Sequence, residues 1–187
     1  SHTLEPRIAF VVAAGRGSIG DRQMTALAQA ADLDATFIYV DKSTPWRTEV
    51  SRIARELRDA DPDAAIVKGL GWRAGVAAMM ANRPRHGGVP YFVTAGDSLS
   101  AFERNRGGSL RGALANAYEK TLYRRSLGFI GRTGYYVGRA VRMGAPSGVT
   151  IEGFVPPGQK VDVDRAAARA ALGIDDSALV IGASGSM

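Results

Sequence analysis

Short apolar runs alternate with stretches of helical periodicity along residues 7–151, and this alternation restricts the possible folds more than any other feature. The first run, Arg7–Ala13, is apolar from its second residue onward and is followed by Gly15. Continuous apolar runs of this length are typical of strands that are buried on both faces of a parallel sheet. The same pattern predicts five further strands: Ala35–Val40, Ala64–Val67, Tyr91–Thr94, Leu127–Ile130 and Val149–Ile151.

Helical periodicity fills the segments between these strands. We expect Asp21 to cap the first helix and Thr44 the second, with Pro45 in its first position. The spacing predicts helices over Ser109–Arg125 and Tyr135–Met143 as well. The expected core-facing residues are Trp46, Val50, Ile53, Ala54 and Leu57 of the second helix, Trp72, Val76, Met79 and Met80 of the third, and Leu110, Leu114, Ala117, Thr121 and Leu122 of the fourth. Glu49 is expected on the charged, solvent-facing side of the second helix.

Strands that alternate with helices at this spacing predict an α/β fold, a Rossmann-like doubly wound parallel sheet with helices on both faces. We assign this domain to residues 3–155. Residues 156–187 differ: Pro156-Pro157-Gly158 indicates a linker, and Asp164–Leu172 a helix that ends at Gly173. A seventh strand, Ala178–Gly182, then runs into a Gly/Ser turn. We expect residues 156–187 to hold the interdomain linker, its helix and the first strand of a second domain.

The net charge of +6 is concentrated in the middle of the chain. Residues 71–150 carry 12 basic and 3 acidic side chains, whereas the flanking segments are slightly acidic. The basic residues between 104 and 142 are therefore candidates to face an anionic membrane surface or a phosphate-bearing ligand. The alternative is a set of scattered, solvated arginines. No motif for specific nucleic-acid binding is present in the sequence, and the absence of cysteine excludes disulfide and thiolate chemistry.

A G-x-G-x-x-G pattern, Gly15-Arg16-Gly17-Ser18-Ile19-Gly20, lies between the first strand and the first helix. Glycines in this setting let the backbone approach a phosphate that the helix N-terminus then binds. Asp41, at the end of the second strand, matches the ribose-binding acid of a dinucleotide site. Two alternatives remain open: a tight glycine turn with Asp41 as a loop residue, or a loop that contacts an acceptor or a phosphate without binding a dinucleotide.

The longest predicted loop follows the fourth strand and precedes Gly107-Gly108. Its first residues, Gly96, Asp97 and Ser98, lie where ligands bind in open α/β sheets. Asp97, the candidate catalytic residue, could accept a hydrogen bond from a sugar hydroxyl, and Ser98 could donate or accept one; alternatively Asp97 caps the following turn. Arg104 and Arg106 could clamp a phosphate or carboxylate, or could instead pair with Glu103 and Glu119.

Arg132 and Thr133 follow the fifth strand at the same predicted edge of the sheet, with Thr133 equally suited to cap a helix. His86 has no cysteine or second histidine near it with which to form a zinc site, so no metal is expected.

Several of these segments together resemble a known family. The segments are Pro90–Asp97, Phe102–Arg106, Glu119–Arg125, Leu127–Ile130, Val149–Val155, Ala166–Ile174 and Leu179–Gly182. They resemble the N-terminal domain, the linker helix and the first donor-domain strand of GT-B-fold glycosyltransferases of the retaining family 4 type. The resemblance extends over nearly the whole chain.

The resemblance implies the acceptor-binding half of an enzyme that transfers a sugar from a nucleotide-sugar to a sugar or glycoconjugate acceptor. It implies no tightly bound cofactor, and a donor site in a second domain, so this half alone is expected to be inactive. Two departures bear on activity: Ala95 stands where the family commonly has histidine, and Glu152 precedes Gly153 in the closing element.

Two other function classes follow from the residues themselves. One is an NAD(P)-binding oxidoreductase domain that uses the glycine loop and Asp41. The other is a non-enzymatic basic binding module. A cytoplasmic location is expected, because the absence of cysteine is typical of proteins from a reducing compartment. No apolar run approaches the roughly 20 residues of a membrane span, so membrane contact is expected only at the periphery, through the basic residues 104–142. Residues 156–187 are also candidates to form a homodimer contact.

Overall fold

A computed structural model of the chain describes residues 6–68, 71–83, 88–151, 164–175 and 177–178. The chain divides into two compact units, Ser1–Gly153 and Phe154–Met187. In the second unit, Asp164 is the N-cap of α6 (Arg165–Ala171), and its side chain accepts a hydrogen bond from the Ala166 amide. The strand expected at Ala178–Gly182 falls almost entirely outside the described residues.

The first unit is a six-stranded sheet in the order β2-β1-β3-β4-β5-β6, and every pair of neighbouring strands is parallel. The doubly wound parallel α/β fold is confirmed. Since the strand order reverses between β1 and β3, the crevice at their carboxyl ends is the expected ligand-binding position. The elements are β1 (Arg7–Val12), α1 (Ile19–Ala30), β2 (Asp34–Tyr39), α2 (Trp46–Asp59), β3 (Ala64–Lys68), α3 (Trp72–Ala81), β4 (Tyr91–Ala95), α4 (Leu99–Arg124), β5 (Gly128–Gly131), α5 (Gly134–Arg142) and β6 (Gly148–Thr150).

Helices cover both faces of the sheet, as the alternation of strand side chains requires. Val11, Val67 and Val93 belong to the larger core, together with buried residues of α2, α3, α4 and α5. Phe10 and Val12 project from the opposite face and pack with residues of α1. In the described residues, no helix combines the length and apolar character needed to cross a membrane.

The caps of the first two helices differ from those expected. Ser18, not Asp21, caps α1, and its hydroxyl accepts the Asp21 amide at 3.2 Å. Pro45 occupies the N-cap of α2 without a side-chain cap bond, while the Thr44 hydroxyl donates to Asp41.

The prediction that Glu49 faces solvent is also wrong, because this side chain is fully buried. Its carboxylate accepts the Asp41 amide and the Arg52 guanidinium, which compensate for its burial.

The predicted core-facing stripes are confirmed only in part. Val76, Met79 and Met80 of α3 are partly buried and pack against the core, whereas Trp46 of α2 is 45% exposed. In α3 the buried residues are small, Ala74, Gly75, Ala77, Ala78 and Ala81, whereas Trp72 is 36% exposed. Small side chains allow the helix to pack closely on the sheet and on α2, so its larger side chains lie at the margin. In α4, Leu110 and Leu114 are 72% and 58% exposed, because the buried stripe runs through Ala115, Tyr118 and Leu122.

The segment after β4 is a helical hairpin rather than a long loop. Gly107 and Gly108 interrupt α4 with non-helical backbone angles, which leaves a first arm over 99–106 and a second arm over 109–124. The Leu99 amide donates to the Glu119 carboxylate at 3.0 Å, although about 30 Å would separate these positions along a straight helix. The chain therefore reverses at the glycines. The prediction of a helix that begins at Ser109, after a Gly-Gly stop, fits the second arm.

Candidate functional site

A cavity of about 420 Å³ opens at the carboxyl end of β4. This volume falls within the range of small-molecule sites. The cavity lies between the starts of α3, α4 and α5, and its lining residues are Gly71, Ala95, Gly96, Asp97, Ser98, Leu99, Ala101, Phe102 and Tyr136. Three of the sequence-predicted site residues, Gly96, Asp97 and Ser98, are thus among those that line it.

The side chains of Asp97 and Ser98 differ in their hydrogen bonding at this cavity. Ser98 is the N-cap of α4, and its hydroxyl accepts the Ala101 amide at 3.3 Å and lies 3.2 Å from the Ser100 hydroxyl. The cap is therefore Ser98 and not Asp97. Asp97 is exposed, and within the part of the chain that the structure describes its carboxylate has no hydrogen-bond or ion-pair partner. Its oxygens are available to a ligand hydroxyl or a cation.

A buried ion pair that the sequence does not reveal anchors the start of α4, whose residue Leu99 lines this cavity. Glu119 is fully buried, and Arg139 of α5 donates to both of its oxygens, at 2.6 and 3.2 Å. The same carboxylate accepts the Leu99 and Ser100 amides, so it serves as an internal cap of α4. Arg139 also donates to the Ser100 hydroxyl at 2.8 Å. The pair therefore joins both arms of α4 to α5.

Arg132 lies beside this turn. A methyl group built on Gly96 would lie 3.4 Å from Arg132 Cδ, which places the arginine side chain against the turn backbone. Its guanidinium donates to the side chain of Gln23 in α1 at 2.7 Å. Thr133, next to it, occupies the N-cap of α5 without making a side-chain cap bond. Arg132 therefore connects the ends of β4 and β5 to α1.

Arg104 and Arg106 lie on the first arm of α4, outside the set of residues that line the cavity. The Arg106 guanidinium lies 5.3 Å from the ring centroid of Phe102, which does line it. The alternative of pairing with Glu103 and Glu119 is not what the structure has. Glu103 lies 4.0 Å from Arg111, and Glu119 is paired with Arg139.

The glycine loop after β1 already contains an internal anion. The Asp21 carboxylate accepts the Gly17 amide and the Tyr39 hydroxyl, both at 2.7 Å. These hydrogen bonds, with that from Tyr39 the stronger influence, hold the pKa of Asp21 below its ordinary value. The Arg16 guanidinium lies 5.1 Å from the centroid of the Tyr39 ring. Because the Asp21 carboxylate already accepts the Gly17 N–H, its negative charge would repel a phosphate in this loop.

The Asp41 carboxylate also accepts hydrogen bonds from within the chain. Its carboxylate accepts the Ser43 amide and the hydroxyls of Ser43 and Thr44, at 2.6 to 2.8 Å. The two side-chain hydrogen bonds lower the pKa of Asp41 to about 2. This geometry favours the interpretation of Asp41 as a turn residue over that of a ribose ligand. In the described ranges there is no group of three or more histidine, cysteine or acidic residues arranged to bind a metal ion.

Two solved structures resemble the fold at low sequence identity. S. aureus MnaA, in a co-structure with UDP, gives a TM-score of 0.53 at 12% identity, with 78% of this chain and 43% of that chain covered. A putative UDP-N-acetylglucosamine 2-epimerase from Listeria monocytogenes gives a TM-score of 0.50 at 8% identity, with 74% of this chain and 42% of that chain covered. The sequence matches no known family profile and no curated protein.

This likeness shows a Rossmann-like α/β fold. The chain spans less than half the length of either neighbour.

Proposed function

We propose that this domain is the acceptor-binding half of a GT-B-fold enzyme of nucleotide-sugars, and that the enzyme is a glycosyltransferase that retains the configuration of the donor sugar. The observation that carries the proposal is Asp97, an exposed carboxylate at a cavity of about 420 Å³ in the carboxyl-edge position of the fold. A carboxylate can accept hydrogen bonds from two hydroxyls of a sugar, which suits it to orient an acceptor.

The remaining residues of the site hold its backbone elements in place and contribute no reactive group. Ser98 and Glu119 fix the start of α4, and Arg132 packs against Gly96. Ala95 brings no side-chain base to the cavity. Transfer with retention would therefore depend on orientation of the acceptor and on electrostatic stabilisation of the departing nucleotide. In this proposal a second domain binds the nucleotide-sugar, and no other cofactor is needed.

A second candidate is epimerisation of a nucleotide-sugar, since one structural neighbour is described as a putative UDP-N-acetylglucosamine 2-epimerase. The two reactions differ in their products. Transfer releases the nucleoside diphosphate and forms a new glycoside, whereas epimerisation leaves the nucleotide-sugar intact with one inverted carbon. Proton NMR of the sugar signals distinguishes the two outcomes in a single reaction tube.

The test uses the full natural gene product with a panel of nucleotide-sugars and sugar acceptors. We expect a new glycoside with the anomeric configuration of the donor, and release of nucleoside diphosphate only when an acceptor is present. Asp97→Asn should raise the KM for the acceptor at least tenfold, because the amide replaces one acceptor oxygen by a donor. The matched control is Asp59→Asn, an exposed aspartate at the end of α2.

Three results would contradict the proposal. They are an inverted product, an inverted sugar carbon without release of the nucleotide, and sugar transfer by the 187-residue chain alone.

A further inference from the structure

The second arm of α4 presents an apolar stripe to solvent. Leu110, Ala113, Leu114 and Ala117 recur at the i, i+3, i+4 and i+7 spacing of one helix face, and all four are exposed. The two leucines are 72% and 58% exposed. An amphipathic helix of a globular protein ordinarily turns such a stripe toward the core, so its outward orientation needs a reason.

The opposite face of this arm fixes that orientation. Tyr118 and Leu122 are buried in the main core, and the Tyr118 hydroxyl donates to the Gly71 carbonyl at 3.2 Å. The Tyr91 hydroxyl donates to the Leu122 carbonyl at 2.8 Å, and Glu119 is paired with Arg139. Rotation of the helix to bury its leucines would break these bonds and expose an ion pair. The apolar stripe is therefore a stable surface of the folded domain.

Basic side chains are concentrated in the part of the chain that contains the stripe. Residues 98–150 contain nine arginines and lysines but only two acidic residues, Glu103 and Glu119. Glu119 is buried in its ion pair, and Glu103 lies 4.0 Å from Arg111. Exposed basic residues of α4 are Arg104, Arg106, Arg111, Lys120 and Arg124. The surface thus combines exposed leucines with an uncompensated positive charge.

We propose that this surface docks on an anionic lipid bilayer. The leucines would enter the boundary between headgroups and acyl chains, while the arginines remain at the level of the lipid phosphates. Apolar insertion and basic attraction are the two contributions that together give stable peripheral binding. A second copy of this chain is a poorer occupant, because it would oppose one positive surface to another. The inference is independent of the proposed enzymatic reaction.

The test is co-sedimentation with phosphatidylcholine vesicles that contain about 30 mol% phosphatidylglycerol, compared with pure phosphatidylcholine. We expect binding to the anionic vesicles at about 50 mM NaCl, at least tenfold weaker binding to the neutral ones, and a tenfold or greater loss at about 500 mM NaCl. Leu110→Ser combined with Leu114→Ser should lower the partition coefficient at least tenfold. The matched control is Leu172→Ser, since Leu172 of the second unit is 73% exposed.

The charge contribution is tested separately. Lys120→Gln with Arg124→Gln, two exposed basic positions of the second arm, should weaken binding to the anionic vesicles at least fivefold. Arg47→Gln with Arg55→Gln, which changes the net charge equally at exposed positions of α2, should not. Circular dichroism verifies that each variant is folded.

Either of two results would overturn the inference. One is absence of binding to the anionic vesicles at low salt, including the case in which the leucines instead support a dimer in analytical ultracentrifugation. The other is equal loss in the α4 variants and their controls.

Discussion

Replacement of Glu119 by glutamine should destabilise the fold more than any other single change of charge in α4. The change keeps the shape of the side chain but removes the anion that Arg139 and two backbone amides contact. Arg139 is only 18% exposed, so its guanidinium would be left largely without compensation. The carbonyl oxygen of the introduced glutamine could still accept the Leu99 amide, but its amide group would direct N–H donors toward the guanidinium.

The magnitude follows from these contacts. Loss of one partner of a buried ion pair costs about 3–5 kcal/mol, and the partial exposure of Arg139 favours the lower end, about 3 kcal/mol. With a urea dependence of about 2 kcal/mol per molar, the unfolding midpoint should fall by about 1.5 M. Glu103→Gln is the control. Its pair with Arg111 spans 4.0 Å, and the Arg111 side chain is 65% exposed and stays hydrated when the pair is lost, so the expected loss is below about 1 kcal/mol.

Urea unfolding followed by circular dichroism measures both variants. Arg139→Met, alone and combined with Glu119→Gln, completes a double-mutant cycle whose coupling energy should reach at least about 1 kcal/mol. Since Glu119 also accepts two amides, Glu119→Gln should remain costly in the Arg139→Met background. Equal midpoints for Glu119→Gln and Glu103→Gln, or a coupling energy near zero, would refute the role assigned to this pair.

Three further predictions concern the glycines of α4 and the loop after β1. Gly108→Ala should lower the free energy of unfolding by about 1–3 kcal/mol in urea, because φ of +76° with ψ of −173° is accessible almost only to glycine; an unchanged midpoint would argue against this backbone geometry. Gly112→Val should cost about 1–3 kcal/mol by the same assay, since even a Cβ at this position would lie 2.8 Å from Arg104 Cβ; no loss would mean that the two arms are not in close contact. Tyr39→Phe should cost about 0.5–1.5 kcal/mol at pH 7, where the hydrogen bond to ionised Asp21 is present. The depressed pKa of Asp21 stabilises the fold above its ordinary value of 3.8, so the deficit of this variant should shrink as the pH falls below that value, and a deficit that does not change with pH would contradict the assignment.

The fold could be predicted from the sequence because its strands are apolar on both faces. Runs such as Arg7–Val12 and Tyr91–Ala95 leave little ambiguity between helix and strand, since a glycine follows each one within a few residues. Helix orientation was harder to predict. The alanines of α3 give a weak periodic signal, and the leucines of α4 point outward although leucine ordinarily indicates the core.

The site was predictable only where it depends on the sheet. Asp97 follows a strand, and its place at the carboxyl edge follows from the topology alone. The contacts of Glu119 with the Leu99 and Ser100 amides depend on reversal of the chain at Gly107-Gly108, and its pair with Arg139 depends on the packing of α5 against α4. Two signals were present in the sequence: the paired glycines, and an isolated glutamate among the buried positions Tyr118 and Leu122. Neither reveals the partner arginine without the tertiary structure.

The internal carboxylates at this edge of the sheet also bear on which ligand the domain would accept. Asp21 occupies the Gly17 amide before α1, and Glu119 occupies the Leu99 and Ser100 amides at the start of α4. A phosphate at either position would have to displace a bound carboxylate and would meet its negative charge. A neutral polyol that binds Asp97 would disrupt neither arrangement. The geometry therefore favours a hydroxyl-rich acceptor over a diphosphate in this domain. This agrees with the proposed function, in which a second domain binds the nucleotide-sugar.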